Sequence, residues 1–205
     1  MANQVDKPLK VLADAFKEMA VIVNSPSPDV SVKQFSDACS HLLRLFGVLE
    51  YAFKFVKLDY VEKVKDLADA SSSISTLQVM VDEDIEAGQA KKAFSHTRKL
   101  LRVKRALEMV RALFEEIIAT EADSSLKDAA FKAYNQVLAP YHGHGLKESA
   151  ETGMESLPTR ALLLCMINET EETAKIQMKS YVTASTPVIE YLNKLFLSKK
   201  LGTNW

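Results

Sequence analysis

FSHTRKLLRVKRALEMVRALF, residues 94–114, has the periodicity of a long helix with arginines set into an apolar run. At about 100° per residue, one arc of this helix is apolar, and Arg98, Arg102 and Arg105 lie roughly opposite it. That arc contains Leu100, Val103, Leu107, Val110, Phe114 and Ile118. Further apolar residues fall in or beside the arginine arc, namely Phe94, Leu101, Met109 and Leu113. A helix with apolar surface on both sides is predicted to lie at the centre of the fold.

Arg98 and Arg102 are four positions apart, so they place two positive charges on one face of this helix. Like charges at that spacing cost roughly a few tenths of a kcal/mol in a bare helix. An anion between them removes the cost, because each guanidinium can form charge-assisted hydrogen bonds to it. The pair therefore predicts a binding site for an anion.

The rest of the chain is predicted to be helical as well. It has six glycines and six prolines, which separate helix-length periodic segments, and almost no sustained two-residue alternation. We expect eight or nine helices in an all-α fold. They cover about residues 7–23, 31–46, 48–70, 74–86, 94–114, 126–138, 146–153, 158–166, 171–183 and 187–199, ten segments that make nine helices where 31–46 and 48–70 continue through a kink at Gly47.

Length and composition indicate a single domain spanning residues 1–205. A chain of this size buries roughly 70% of its unfolded surface in one core. It is 47% apolar and 26% charged with a net charge of −1, which argues against disorder and against broad attraction to nucleic acid. The opening residues MANQVDKPLK lack a secretory core, and no apolar run reaches the ~18 to 20 residues of a membrane span. We therefore expect a protein of the cytosol.

Cysteines and histidines give no indication of a metal or a cofactor. Cys39 and Cys165 both sit in apolar helical patterns and are predicted to be buried free thiols in a reducing compartment. The four histidines form none of the usual zinc or di-iron ligand spacings. No phosphate-binding glycine loop, nucleophile elbow or other catalytic constellation is present, so we expect neither enzymatic activity nor a cofactor.

Asp59 and Lys63 lie in an unusual position, within the apolar arc of the helix predicted at 48–70. That arc holds Val48, Leu49, Ala52, Phe55, Val56 and Leu67. An Asp and a Lys at this spacing can simply form an ion pair worth roughly a few tenths of a kcal/mol. Alternatively, both belong to a binding site with the arginine helix.

Three kinds of partner are consistent with the arginine helix. A nucleic acid is disfavoured by the sequence pI of about 6.4. A partner protein of the kind that binds basic amphipathic helices is disfavoured by the apolar residues on both sides, which indicate burial. The remaining interpretation is a compact acceptor for one phosphate, with Lys63 added if the two helices pack together.

Several segments together resemble the glycolipid transfer protein family, and most closely its plant accelerated-cell-death branch of ceramide-1-phosphate transfer proteins. The headgroup-recognition elements of that family are similar to DYVEK at 59–63, RKLLRVKR at 98–105 and His142 after Pro140. The similarity also includes IVNSPSP at 22–28, AFKF at 52–55, SSSISTL at 71–77 and FLSKKLGTNW at 196–205. It spans nearly the whole chain.

The resemblance implies a two-layer sandwich of about eight helices, with an apolar interior for lipid chains and a polar surface site for the headgroup. By position, Asp59 would accept hydrogen bonds from the ceramide amide and hydroxyl, and His142 would donate to the amide carbonyl. Lys63, Arg98 and Arg102 would bind the phosphate. Glycolipid-binding members have Asn at the position of Lys63 and a sugar-stacking Trp at that of Arg102, so here cations replace sugar recognition.

Three residues leave questions open. His144 stands where the family commonly has an aromatic residue, and we leave it outside the expected site. Arg105 matches the family motif, but a role in structural pairing is equally consistent with its position. Trp205 is consistent either with docking at a membrane interface or with packing on the protein body.

The function implied by the resemblance is non-enzymatic transfer of ceramide 1-phosphate and related phosphosphingolipids between membranes. Such a carrier would contact membranes transiently and peripherally, in the cytosol of a plant cell, and would restrain programmed cell death. Nucleic acid would not be among its partners. The alternative is a helical adaptor that acts only through protein partners.

Overall fold

The computed structural model describes residues 7–48 and 50–205, with the backbone alone at 48 and 50–56. In this part of the chain the regular elements are ten α-helices and one short 3-10 helix, η1. Their order is α1 (Pro8–Val23), α2 (Val32–Ser40), α3 (Leu42–Val48), α4 (Glu50–Ala70), α5 (Leu77–Glu86), α6 (His96–Ala119), α7 (Leu126–Val137), η1 (Ala139–Tyr141), α8 (His144–Glu155), α9 (Arg160–Met166) and α10 (Glu171–Ser198). The all-α prediction is confirmed. Helices α3 and α9 have seven residues each and the others at least nine, which agrees with about eight principal helices.

Helix α6, which carries the arginines, lies at the centre as predicted. It packs against α4, α5, α7 and α10, while α1 packs on α10 and α2 on α4. Leu100 and Leu101, on different sides of α6, are both fully buried. Burial on both sides follows from the apolar residues beside the arginine arc.

The N-terminus of α6 is held by side-chain hydrogen bonds that fix where the helix begins and so where its arginines lie. Ser95 accepts from the backbone N–H of Arg98 at 3.0 Å, as an N-cap residue does. The same turn is tied to α5, because Asp84 accepts from both the backbone N–H and the hydroxyl of Thr97, at 2.7 and 2.6 Å. Similarly, Ser31 caps α2 by accepting from Gln34 N–H, at the start of the helix predicted at 31–46.

One predicted break is wrong. The helices expected at 171–183 and 187–199 are a single helix, α10, with Pro187 in its interior. Proline removes the hydrogen bond to the carbonyl four residues earlier, which here belongs to Thr183, an exposed residue whose carbonyl can bond to water. Residues on both sides of Pro187, including Ala184 and Val188, are buried, so tertiary packing holds the helix together.

Two smaller expectations also need correction. Pro158 does not lie in the first turn of a helix, since α9 begins at Arg160 after the capping residue Thr159. Cys39 is buried but Cys165 is exposed, because α9 turns Leu162, Cys165 and Met166 outward; both thiols are free. The apolar arc expected at 48–56 falls on side chains outside those described.

Within the described part, no helix combines the length and apolar character needed to cross a bilayer.

Candidate functional site

Four of the five predicted headgroup residues line one surface cleft of about 340 Å³, which we call the α4–α6 cleft. Asp59 and Lys63 project into it from α4, and Arg98 and Arg102 from α6. Ala93, Lys99 and Leu146 complete its lining. The packing of α4 on α6 thus places Lys63 beside the two arginines.

The Asp59 carboxylate forms the ion pair with Lys63 that their spacing allowed. The pair uses the Oδ1 atom of Asp59, whose side chain stays 67% exposed, whereas Lys63 is only 14% exposed. The carboxylate can therefore still accept hydrogen bonds from a ligand in the cleft, since an ionised carboxylate offers about four acceptor positions.

Arg102 has a guanidinium that is available to bind an anion. Within the described residues, no hydrogen bond or ion pair involves its guanidinium, which is partly exposed. Lys99 differs, because its Nζ contacts Asp66 Oδ1 at 2.6 Å and Glu62 Oε1 at 3.2 Å. Burial acts to lower the pKa of Lys99, but these two carboxylates outweigh it and the net shift is upward. Lys99 thus stays protonated, and its charge is already compensated by the two neighbouring carboxylates.

Arg98 is held at the rim of the cleft. Its Nη1 donates to the carbonyl of Lys91 at 2.9 Å, and its guanidinium carbon lies 5.8 Å from the centre of the Trp205 ring. These contacts leave the other terminal nitrogen of the guanidinium for a ligand, since arginine carries five N–H donors.

Arg105 makes structural contacts, in line with the pairing role that its sequence position allowed. It is 3% exposed, and its Nη2 donates to the backbone oxygens of Thr203 and Trp205 at 2.8 and 2.9 Å. Its guanidinium also stacks 3.5 Å above the Tyr141 ring. Trp205 packs on the protein body, 6.2 Å from Phe196 between ring centres.

His142 lies beside the cleft. Its Nδ1 is 3.0 Å from the hydroxyl of Tyr134. Burial and the charges of Arg102 and Arg105 lower the pKa of His142, and the charge of Asp59 partly opposes them. At neutral pH the imidazole is therefore neutral, and a neutral imidazole can donate one hydrogen bond. His144 is 88% exposed and contacts Glu148, in agreement with its exclusion from the site.

Sequence reasoning missed two features of the site. The first is the network of Glu62, Asp66 and Lys99, for which the spacing of Asp59, Glu62 and Asp66 on one face of α4 was an available signal. The second is Tyr134, whose contact with His142 depends on the turn at η1 and has no signal in a single sequence.

Comparison with known proteins agrees with this geometry. The family model described as Glycolipid transfer protein (GLTP) matches residues 30–169. A protein of Arabidopsis thaliana named Accelerated cell death 11 is 59% identical over 203 residues, covering 99% of this chain and 98% of that protein.

Two solved structures show the same fold. A mutant of Arabidopsis ACD11 complexed with C12 ceramide-1-phosphate superposes with a TM-score of 0.96 at 59% identity, covering 98% of this chain and 100% of that one. The apo form of Arabidopsis ACD11 superposes with a TM-score of 0.90 at 60% identity, covering 94% and 99%. The fold is the predicted two-layer helical sandwich, and the chain belongs to the glycolipid transfer protein family.

Proposed function

We propose that this protein carries ceramide 1-phosphate and related phosphosphingolipids between membranes without chemical conversion. The observation that carries the proposal is the guanidinium of Arg102, which has no pairing partner among the described residues, in a cleft that also contains Asp59, Lys63 and Arg98. The ceramide-1-phosphate in the structure of the 59% identical Arabidopsis relative supports the choice of ligand.

In this proposal each residue has a distinct role. The phosphate is bound by Lys63, Arg98 and Arg102, because arginine forks match phosphate geometry and lysine adds a point charge. The carboxylate of Asp59 accepts from the amide N–H and hydroxyl of the sphingoid base. The neutral imidazole of His142 donates to the amide carbonyl.

The headgroup cations also explain selectivity against neutral glycolipids. A sugar cannot compensate the charge of Arg102, so binding one would desolvate this cation without a charged partner, whereas Lys63 already pairs with Asp59. A phosphate compensates the charge of Arg102. The lipid chains are sheltered between apolar helix faces, since each buried CH₂ contributes about 0.8 kcal/mol.

The carrier would act in the cytosol with transient, peripheral membrane contact. We further propose that it restrains programmed cell death through sphingolipid balance, as the name of the Arabidopsis relative suggests. Expression in Arabidopsis plants that lack the relative should reduce cell death, and an Asp59→Asn variant should not. Equal rescue by the wild-type protein and by Asp59→Asn would mean that the protein restrains cell death independently of lipid binding.

The test of the proposed activity is transfer between vesicles. Labelled ceramide 1-phosphate and labelled galactosylceramide are offered at equal mole fraction in donor vesicles, and their arrival in acceptor vesicles is measured. We expect clear preference for the phosphate lipid. Comparable transfer of the neutral glycolipid would contradict the headgroup assignment.

Native mass spectrometry distinguishes the carrier from the adaptor that acts only through protein partners. The protein is incubated with vesicles containing ceramide 1-phosphate and then separated from them. A carrier should gain the mass of one lipid per chain. A protein that remains empty after this exposure would favour the adaptor.

A further inference from the structure

We infer that Tyr134 is a positioning residue, which holds the imidazole of His142 in the tautomer and orientation that donate from Nε2 to the sphingolipid amide. The inference deepens the proposed function and rests on it, since the amide is the group that His142 would contact. Tyr134 itself touches no ligand in this scheme.

Two contacts fix the imidazole against Tyr134. The hydroxyl of Tyr134 is 3.0 Å from Nδ1, and the two ring centres are 5.6 Å apart with a tilt of 53°. Tyr134 is itself immobilised on α7, where it is 4% exposed and clusters with Ala130 and Met154. A buried aromatic ring on a helix is a rigid support for a histidine in the adjoining turn.

The proton between these groups belongs to the tyrosine. A neutral imidazole has one donor and one acceptor nitrogen. If Nδ1 donated to the tyrosine oxygen instead, the hydroxyl proton of Tyr134 would need an acceptor other than His142. The described part of the chain offers none. Burial, together with the charge of Glu151, raises the pKa of Tyr134, which keeps the hydroxyl protonated. Nδ1 therefore accepts, and the imidazole proton lies on Nε2.

The charges around His142 favour the same state. Arg102 and Arg105 face it from α6, Lys147 from α8 and Asp59 from α4. Burial and the three cations disfavour an imidazolium, and the one carboxylate opposes them only in part. The lone pair on Nδ1 is thus present at neutral pH to accept from Tyr134.

The substitution Tyr134→Phe tests the inference, because it keeps the ring and removes only the hydroxyl. The pKa of His142 is measured by NMR titration of the lipid-free protein, with its signals identified by their loss in His142→Gln. A hydroxyl that donates to Nδ1 stabilises the neutral imidazole, so its removal should raise the pKa of His142. A hydroxyl that accepts from Nδ1 stabilises the imidazolium, and its removal would lower that pKa.

A second readout connects the hydrogen bond to lipid transfer. Transfer of ceramide 1-phosphate by Tyr134→Phe should fall about threefold to tenfold, the effect of one neutral hydrogen bond. Tyr181→Phe is the control, because it removes a fully buried hydroxyl that donates to the carbonyl of Leu107 in the core. This control should change neither the pKa of His142 nor the transfer rate, and circular dichroism should show both variants folded.

An unchanged or lowered pKa of His142 in Tyr134→Phe would overturn the inference, as would a raised pKa with transfer at the wild-type rate. Failure of the proposed function looks different. In that case the wild-type protein does not transfer ceramide 1-phosphate, while the titration of the lipid-free protein still reports the hydrogen bond.

Discussion

Asp59 has two competing partners, its helix neighbour Lys63 and the amide of a bound sphingolipid. The ion pair with Lys63 is formed in the structure, yet 67% of the Asp59 side chain remains exposed at the cleft. An exposed pair of this kind contributes at most ~1 kcal/mol to stability. Both roles are therefore compatible with the geometry, and only a functional measurement separates them.

We predict that Asp59→Asn lowers ceramide 1-phosphate transfer about tenfold to a hundredfold. Hydrogen bonds to a charged acceptor contribute about 1.5 to 3 kcal/mol, and asparagine can face the ligand donors with its own NH₂ group. Transfer between vesicles measures the loss. Asp14→Asn is the matched control, since Asp14 pairs with Lys10 at the same spacing on α1. A folded Asp59→Asn protein with wild-type transfer would restrict Asp59 to the ion pair.

The cations of the cleft differ in their availability. We predict that Arg102→Gln reduces transfer about tenfold to a hundredfold, because charge-assisted bonds to the phosphate are lost. Lys99→Gln should change transfer less than about fivefold, since Asp66 and Glu62 already neutralise this lysine. Both variants are compared in the same vesicle assay. Equal losses in the two variants would mean that every cation lining the cleft contributes to phosphate binding, whether or not carboxylates already compensate its charge.

How far single residues could be predicted depended on the range of their contacts. Arg98 and Arg102 were recognised from a local spacing on one helix. The sequence could not show that Arg98 would contact Lys91 and Trp205, or that Arg102 would have no pairing partner in the part of the chain that the structure describes. One contact joins α6 to the segment just before it and the other to Trp205 at the end of the chain, and neither leaves a periodic signal.

At the scale of elements, features set by residues close in sequence were more predictable than interruptions set by tertiary packing. The helix expected from residue 31 begins there with Ser31 as its cap, because capping depends on residues only three apart. Pro187 was expected to end a helix, but α10 continues through it. The proline costs one backbone hydrogen bond, and burial of the helix on both sides of it exceeds that cost.

The junction of α6, α9 and α10 is held by Arg160, which is 4% exposed. It donates to both carboxylate oxygens of Glu171, and to Thr120 and the carbonyls of Ile117 and Glu121 at 2.8 to 3.0 Å. All three helix ends therefore depend on one guanidinium.

We predict that Arg160→Gln destabilises the protein by about 3 to 5 kcal/mol, because the carbonyls of Ile117 and Glu121 lose this donor and Glu171 keeps its longer contact with Lys175, at 3.5 Å, in place of a buried guanidinium. Urea unfolding followed by circular dichroism measures the change. Lys127→Gln, which breaks an exposed pair with Glu155, should cost less than ~1 kcal/mol. A loss of similar size in both variants would show that the buried position of Arg160 is unimportant.

At the scale of the whole molecule, stability should fall on acidification partly because of His142. Its pKa is lowered in the folded protein by burial and by Arg102 and Arg105, relative to an ordinary value of 6.5. Between the two values the unfolded chain binds more protons, so stability decreases as pH falls through and below the unfolded pKa.

Urea unfolding of the lipid-free protein at about pH 7.5 and about pH 5.5, on either side of the ordinary histidine pKa, measures this effect. The loss of stability on acidification should be smaller in His142→Gln than in the wild type. His144→Gln is the control, since His144 is 88% exposed. The assignment of the acid sensitivity to His142 fails if all three proteins lose the same stability.

Lipid binding by the whole chain has a thermodynamic consequence that an adaptor would lack. A ligand that binds only the folded state stabilises it, by about 2.7 kcal/mol at a hundredfold excess over Kd. For a chain of this length, we expect an increase in Tm of roughly 5 to 10 °C with ceramide 1-phosphate. Galactosylceramide at the same concentration should give a smaller increase, because it cannot compensate the charge of Arg102. Arg102→Gln should reduce the response to ceramide 1-phosphate while its lipid-free Tm stays near that of the wild type, since Arg102 has no partner to lose within the described residues. If neither lipid raises the Tm, the apolar interior does not take up lipid, and the adaptor becomes the better account of this fold.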